Sequence, residues 1–158
     1  MHAKNILYIM QPAYGHIDWG GVLETLQELK DMGHKVTIMS GEYIKDFVSK
    51  NHLDFVDIGL SPFRKRKPSE AIIDQLISHQ LENFWNFEEQ RISLERSLKY
   101  ISDNKPDIIL NDVLCKIGYF LHMITGLPLV SLGPHDFPKP DQEIFNRTKD
   151  HIEDFNYR

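Results

Sequence analysis

Gln11-Pro12-Ala13-Tyr14-Gly15-His16-Ile17-Asp18-Trp19-Gly20-Gly21 follows directly on the apolar run Ile6-Leu7-Tyr8-Ile9-Met10, and this junction decides the fold. Five consecutive apolar residues that empty into a Pro- and Gly-bearing loop read as a strand buried on both faces. The loop opens an amphipathic helix over about residues 19–32. Val22, Leu23, Leu26 and Leu29 share one face of it, with Glu24, Lys30 and Asp31 elsewhere. In an open α/β sheet such a loop lies at the carboxyl end of its strand, where ligands bind. It carries His16, a side chain whose unperturbed proton equilibrium lies close to neutral pH.

The same alternation continues along the chain. Gly33 suits a left-handed helix cap, and Lys35-Val36-Thr37-Ile38-Met39 reads as a second strand. A short helix over 43–50 leads to a third strand, 54–58, then to a loop over 59–68 with the basic run Arg64-Lys65-Arg66-Lys67, most simply a solvated loop. A long helical stretch over 70–102, interrupted near 83–86, precedes a fourth strand, 107–111. The spacing predicts a helix from Leu114 to Thr125, closed by Gly126, and a fifth strand over 128–132. A last helical segment covers about 142–155.

Strands separated by helices at this spacing imply right-handed crossovers and a doubly wound, mostly parallel β-sheet with helices on both faces, an α/β class. The usual strand order, 3-2-1-4-5, makes strands 1 and 4 neighbours at the topological switch point. His16 follows the first and Asp112 the fourth, so the two are expected to face each other across one crevice.

Composition sets outer bounds. The chain has 158 residues, 41% of them hydrophobic, which suits a single folded domain over 1–158. A net charge of −5 offers no general attraction to nucleic acid or anionic membrane. Cys115 stands alone, which removes an internal disulfide and a Cys-rich zinc site, and no metal is expected. The N-terminus shows no signal-peptide pattern, and no apolar stretch approaches the ~18–20 residues of a membrane span. A cytoplasmic location is the expectation.

A neutral imidazole serves as general base when one ring nitrogen faces the proton to be removed and a carboxylate holds the other as a donor. His16 and Asp112 fit those roles, and the nucleophile is then a hydroxyl on a bound substrate. Each residue has a plainer reading as well. His16 suits a loop histidine bonded to backbone, and Asp112 suits an N-cap for the helix at Leu114. Gly15, Gly20 and Gly21 fail the dinucleotide pattern G-x-G-x-x-G, because position 17 is Ile. They fail the ATPase loop too, since Gly21-Val22 replaces its Lys-Ser/Thr. The cobalamin pattern D-x-H-x-x-G meets Tyr14 and Trp19 at its ends. A helix N-terminus with closely approaching glycines can still take a diphosphate on its amides.

These residues resemble a known family. The strand, Pro12-Ala13-Tyr14-Gly15-His16-Ile17, the helix and Gly33-His34-Lys35-Val36-Thr37 are similar to the opening of family 1, UDP-glycosyltransferase-like enzymes of the GT-B fold. Pro106-Asp107-Ile108-Ile109-Leu110-Asn111-Asp112, through Gly126-Leu127-Pro128-Leu129-Val130-Ser131-Leu132, resembles that family's fourth strand, helix and fifth strand. The likeness covers about residues 4–60 and 104–138. Many members continue the first motif as G-H-[IV]-N-P, whereas Asp18 and Trp19 stand here, with Asp18 placed to cap the helix.

The resemblance implies an inverting transfer from a nucleotide-sugar donor to an acceptor hydroxyl, with His16 as base and Asp112 as its partner. It places Gly15, Asp18 and Gly20 near the donor phosphates and Tyr14 and Gly15 near the acceptor. Phe84, Trp85, Phe87 and His135, with Phe137, fall in segments that line the family's acceptor pocket, where aromatic faces suit a flat, apolar small molecule. The same rings also suit packing of a helix onto the sheet. The family's nucleotide-sugar domain has no counterpart here, so the expectation is the N-terminal, acceptor-binding half of a hexosyltransferase-type enzyme, inactive alone. The donor then comes through a missing C-terminal domain or a separate subunit. The competing expectation is a non-catalytic module that binds a small ligand or docks a partner, as a degenerate or split transferase subunit would.

Overall fold

The computed structural model describes residues 2–13, 15, 17, 21–62, 74 and 86–132. The chain divides into two compact units, Met1–Pro62 with Glu88–Pro134 and Phe63–Phe87 with His135–Arg158. The first unit holds the sheet. Its elements are β1 (Asn5–Ile9), α1 (Val22–Asp31), β2 (Lys35–Ser40), a 3-10 turn (Glu42–Ile44) that runs into α2 (Lys45–Lys50), β3 (Asp54–Asp57), β4 (Ile108–Asp112), α4 (Lys116–Thr125) and β5 (Leu129–Leu132). Helix α3 (Phe87–Asn104) leads into β4.

Among the described residues the strands form one sheet in the order β3-β2-β1-β4-β5, every pairing parallel. The expected order holds. β1 lies in the middle, in register with Lys35 to Met39 on one side and Ile108 to Asn111 on the other. A strand covered on both faces favours apolar side chains, and Ile6, Leu7, Tyr8, Ile9 and Met10 are all buried.

Pleating divides these side chains between two cores. Ile6, Tyr8 and Met10 join Val36, Ile38, Leu110, Ile17 and Leu26, the layer covered by α1 and α2. Leu7, Ile9, Met39 and Ile109 join Cys115, Ile117 and Leu121 of the α4 region, with Leu94, Leu98 and Ile101 of α3 packed against them. Each fully buried Leu or Ile contributes about 1.5–3 kcal/mol.

Glycine sets several boundaries. Gly33 (φ +90) and Gly126 (φ +72) take the left-handed conformation that ends α1 and α4. α1 starts at Val22, later than periodicity suggests. Gly21 precedes it at φ +77, and its carbonyl accepts from both the Thr25 N–H (2.9 Å) and the Thr25 hydroxyl (2.7 Å). Gly15 and Ile17 are helical, and Ile17 is fully buried in the α1-side core. Of the expected helix over 70–102, Asp74 is helical and α3 runs from Phe87 to Asn104. The basic run at 64–67 and the segment 142–155 lie outside the described residues.

Candidate active site

The carboxyl ends of β1 and β4 meet at Asp112. The register that pairs Ile9 with Asn111 sets Asp112 level with Met10. Its Oδ2 accepts the backbone N–H of Gln11 at 3.2 Å, and its Oδ1 accepts the N–H of Leu114 at 3.1 Å. Its main-chain carbonyl accepts the N–H of Cys115 at 2.8 Å. The side chain is 5% exposed. A carboxylate this buried persists only where donors converge on it.

Asp112 is not the N-cap of a helix at Leu114. Residues 112–115 form a tight turn whose second amide is taken by the aspartate side chain, an Asx-turn, and α4 begins only at Lys116 with Cys115 as its cap residue. The side chain and the helix compete for the same amides, and here the turn wins.

Alternation along β4 places Leu110 and Asp112 on the face of Tyr8 and Ile17, and Asn111 on the face of α4. Asn111 is fully buried. Its Nδ2 donates to the carbonyls of Asp112 (2.8 Å) and Cys115 (2.9 Å). Burial holds the Tyr8 phenol far above its ordinary range, with the Asp112 charge adding to the effect. The Cys115 thiol is pushed up to about 12, by burial first and then by Asp112, against the backbone N–H groups of Ile117 and Gly118. A thiol that stays protonated and buried is no nucleophile.

Gln11 ties the segment after β3 to the same place. Its side-chain Nε2 donates to the Ser61 carbonyl at 3.3 Å. Ser61 in turn gives its N–H (2.9 Å) and hydroxyl (2.7 Å) to the Glu89 carboxylate of α3. Ser40 donates its hydroxyl to the Met10 carbonyl at 2.9 Å. Gly41 brings its backbone so close to the segment after β3 that a β-carbon there would lie 1.8 Å from the Leu60 carbonyl oxygen.

Of the residues singled out in the sequence, Asp112 and Gly15 lie on this unit and Phe87 is the exposed first residue of α3. His16, Tyr14, Asp18, Gly20, Phe84, Trp85, His135 and Phe137 lie outside the described residues. Sequence reasoning passed over Gln11, Asn111 and Tyr8. Alternation along β1 and β4, applied residue by residue, would have set Tyr8 beneath Asp112 and Asn111 behind it. Among the described residues no group of three His, Cys, Asp or Glu side chains could hold a metal ion. Nor is any described helix long and apolar enough to cross a membrane.

No protein-family model and no curated protein matches the chain. Solved structures do. The glycosyltransferase of kitacinnamycin superposes over 99% of this chain and 36% of its own, at 22% identity and a TM-score of 0.65. CalG4, the calicheamicin glycosyltransferase, aligns over 94% of this chain and 38% of its own, at 20% identity and a TM-score of 0.66. The fold is the Rossmann-like fold of the GT-B glycosyltransferases. SpnG, a spinosyn rhamnosyltransferase complexed with thymidine diphosphate, covers 91% of this chain and 38% of its own, at 17% identity and a TM-score of 0.59. The chain thus spans well under half the length of these three glycosyltransferase structures.

Proposed function

We propose that this chain is the acceptor-binding, N-terminal half of an inverting glycosyltransferase, with His16 as general base and Asp112 as the carboxylate that orients it. The observation that carries the reading is the buried Asp112 carboxylate at the β1–β4 switch point, bonded to the backbone of Gln11 at the head of the His16 loop. A second observation supports it. Ile17, next to His16, packs in the same core layer as Tyr8 and Leu110, the face to which alternation assigns Asp112.

In the proposed reaction the acceptor hydroxyl gives its proton to the free ring nitrogen of His16 while its oxygen forms a bond to the anomeric carbon from the side opposite the leaving group. The bond from that carbon to the diphosphate oxygen breaks, its electron pair leaves with the nucleoside diphosphate, and the configuration inverts. Asp112 keeps the other ring nitrogen protonated and stabilises the imidazolium as it forms. Its anchors are backbone amides, so it arrives at the reaction already oriented and costs little reorganisation. Gly15, Asp18 and Gly20 are proposed to meet the donor phosphates at the helix N-terminus. Tyr14, Gly15, Phe84, Trp85, Phe87 and His135 are proposed to contact a small apolar acceptor.

The donor is proposed to be a thymidine-diphosphate sugar, by likeness to the thymidine diphosphate bound in SpnG, delivered by the part of a longer protein, or a partner subunit, that this chain does not include. The test is transfer by the full-length gene product from thymidine-diphosphate sugars to a panel of polyketide and phenolic acceptors. His16→Ala is expected to abolish transfer and leave acceptor binding within a few-fold. Undiminished transfer by His16→Ala would refute the base assignment.

A further inference from the structure

Asn111 sits back to back with Asp112, and its geometry has one consequence for the proposed chemistry. Both amide protons of its side chain are committed, to the carbonyls of Asp112 and Cys115, the first and last residues of the turn whose inner amide holds the Asp112 carboxylate. Two carbonyl partners fix which end of the amide faces the turn, because only the nitrogen can donate. The Asn111 oxygen has no hydrogen-bond partner among the described residues and lies against α4 at Gly118, where a β-carbon would come within 2.0 Å of it. A fully buried amide oxygen without a partner is costly, so the site keeps this amide at the expense of stability.

We infer that Asn111, seated against Gly118, is a positioning residue that locks the 112–115 turn and so holds the Asp112 carboxylate in line for its partner imidazole. The inference rests on the proposed His16–Asp112 pair. The amide bonds the turn at both ends, so the turn cannot open without breaking at least one of its two hydrogen bonds. When the turn opens, the Leu114 amide leaves Oδ1 and the carboxylate is free to swing. Gly118 acts through Asn111. A methyl group at 118 displaces the amide, whereas Asn111→Ala removes the two nearest contacts and leaves its own β-carbon 3.0 Å from that methyl.

The test uses the full-length gene product with 15N-labelled histidine. Ring-nitrogen shifts of His16, assigned with His16→Gln, report which nitrogen carries the proton at neutral pH. Wild type is expected to hold its proton on the nitrogen facing Asp112, and Asp112→Asn to abolish that preference. Asn111→Ala and Gly118→Ala are each expected to cut it by at least half. The double variant Asn111→Ala/Gly118→Ala is expected to recover part of the thermal stability lost in Gly118→Ala without recovering the tautomer, a separation that packing alone cannot produce. Leu26→Ala, a core truncation on α1, should lower stability and leave the tautomer alone.

A response to Asp112→Asn with none to Asn111→Ala would overturn the lock and leave the catalytic pair standing. So would a tautomer that follows thermal stability across all variants, Leu26→Ala included. Indifference to Asp112→Asn would overturn the pair and the lock together.

Discussion

The backbone N–H of Gln11 donates to Oδ2 of Asp112 at 3.2 Å, joining residues 101 positions apart at the meeting of the two central strands. Removing the acceptor takes a hydrogen bond from the buried Gln11 amide and one from the partly buried Leu114 amide, at up to about 1–3 kcal/mol each. Asp112→Ala should therefore destabilise the fold by roughly 2–5 kcal/mol. Asp112→Asn keeps one acceptor oxygen but turns its amide NH2, a donor, against the other backbone N–H, and should cost about half as much. Thermal unfolding of the two variants beside wild type checks the ranking. Equal stability of all three would show that neither bond contributes.

Cys115 ties stability to alkaline pH. The folded state holds its thiol proton up to about 12, whereas the unfolded thiol releases it near its ordinary value of 9.0. The raised pKa belongs to the neutral form, so its contribution is complete below pH 9 and is lost as pH rises toward 12. Tyr8, also raised by burial, acts in the same direction from 10 upward. Urea unfolding across this range should show falling stability in wild type and a shallower fall in Cys115→Ala. A thiol reagent should label Cys115 only on unfolding.

Gly41→Ala should be disproportionately harmful for so small a change. The new β-carbon would lie 1.8 Å from the Leu60 carbonyl oxygen, 2.9 Å from its carbon and 3.3 Å from the Pro12 β-carbon, two of them backbone atoms that cannot rotate aside. Overpacking of this kind costs about 1–3 kcal/mol. Because Pro12 follows Gln11 in the loop that carries His16 in sequence, the strain enters that loop. Loss of both melting temperature and transfer rate is the expected result.

Two substitutions on the helices should differ sharply. Leu26 is fully buried beneath α1, and Leu26→Ala should cost about 2–5 kcal/mol. Arg96 pairs with Asp57 at 2.8 Å, but both side chains are about half exposed or nearly so. Solvent screening limits such a pair, and Arg96→Met should cost less than about 1 kcal/mol. Denaturant midpoints separate the two.

The strand order and the place of Asp112 were legible because both follow from alternation of apolar runs with helices, a pattern that survives in a single sequence. The Gly33 and Gly126 caps were legible for a related reason, since a left-handed residue leaves few alternatives to glycine. The start of α4 was not. The apolar periodicity reaches back to Leu114, but an Asx-turn consumes the amides a helix would need, and nothing in the pattern weighs that competition. Gln11 escaped notice because its contact to Asp112 is made by the main chain, which every residue possesses. Asn111 did leave a signal, a buried-strand position filled by an amide, with a glycine seven residues on.

β1 occupies the middle of the sheet, and that has a consequence for how the protein is made. β1 finds β2 about thirty residues later, from Asn5 to Lys35, but its other edge is met only when Ile108 to Asn111 arrive. At roughly 5–20 residues per second, translation leaves that edge open for on the order of ten seconds. During that interval the nascent chain presents an apolar strand with unpaired amides, the kind of edge that recruits the wrong neighbour. The arrival of β4 closes it, and in the same stroke brings Asp112 to Gln11. Enclosure of β1 and the anchoring of Asp112 are one event on the ribosome, and a polypeptide that stalls earlier has neither.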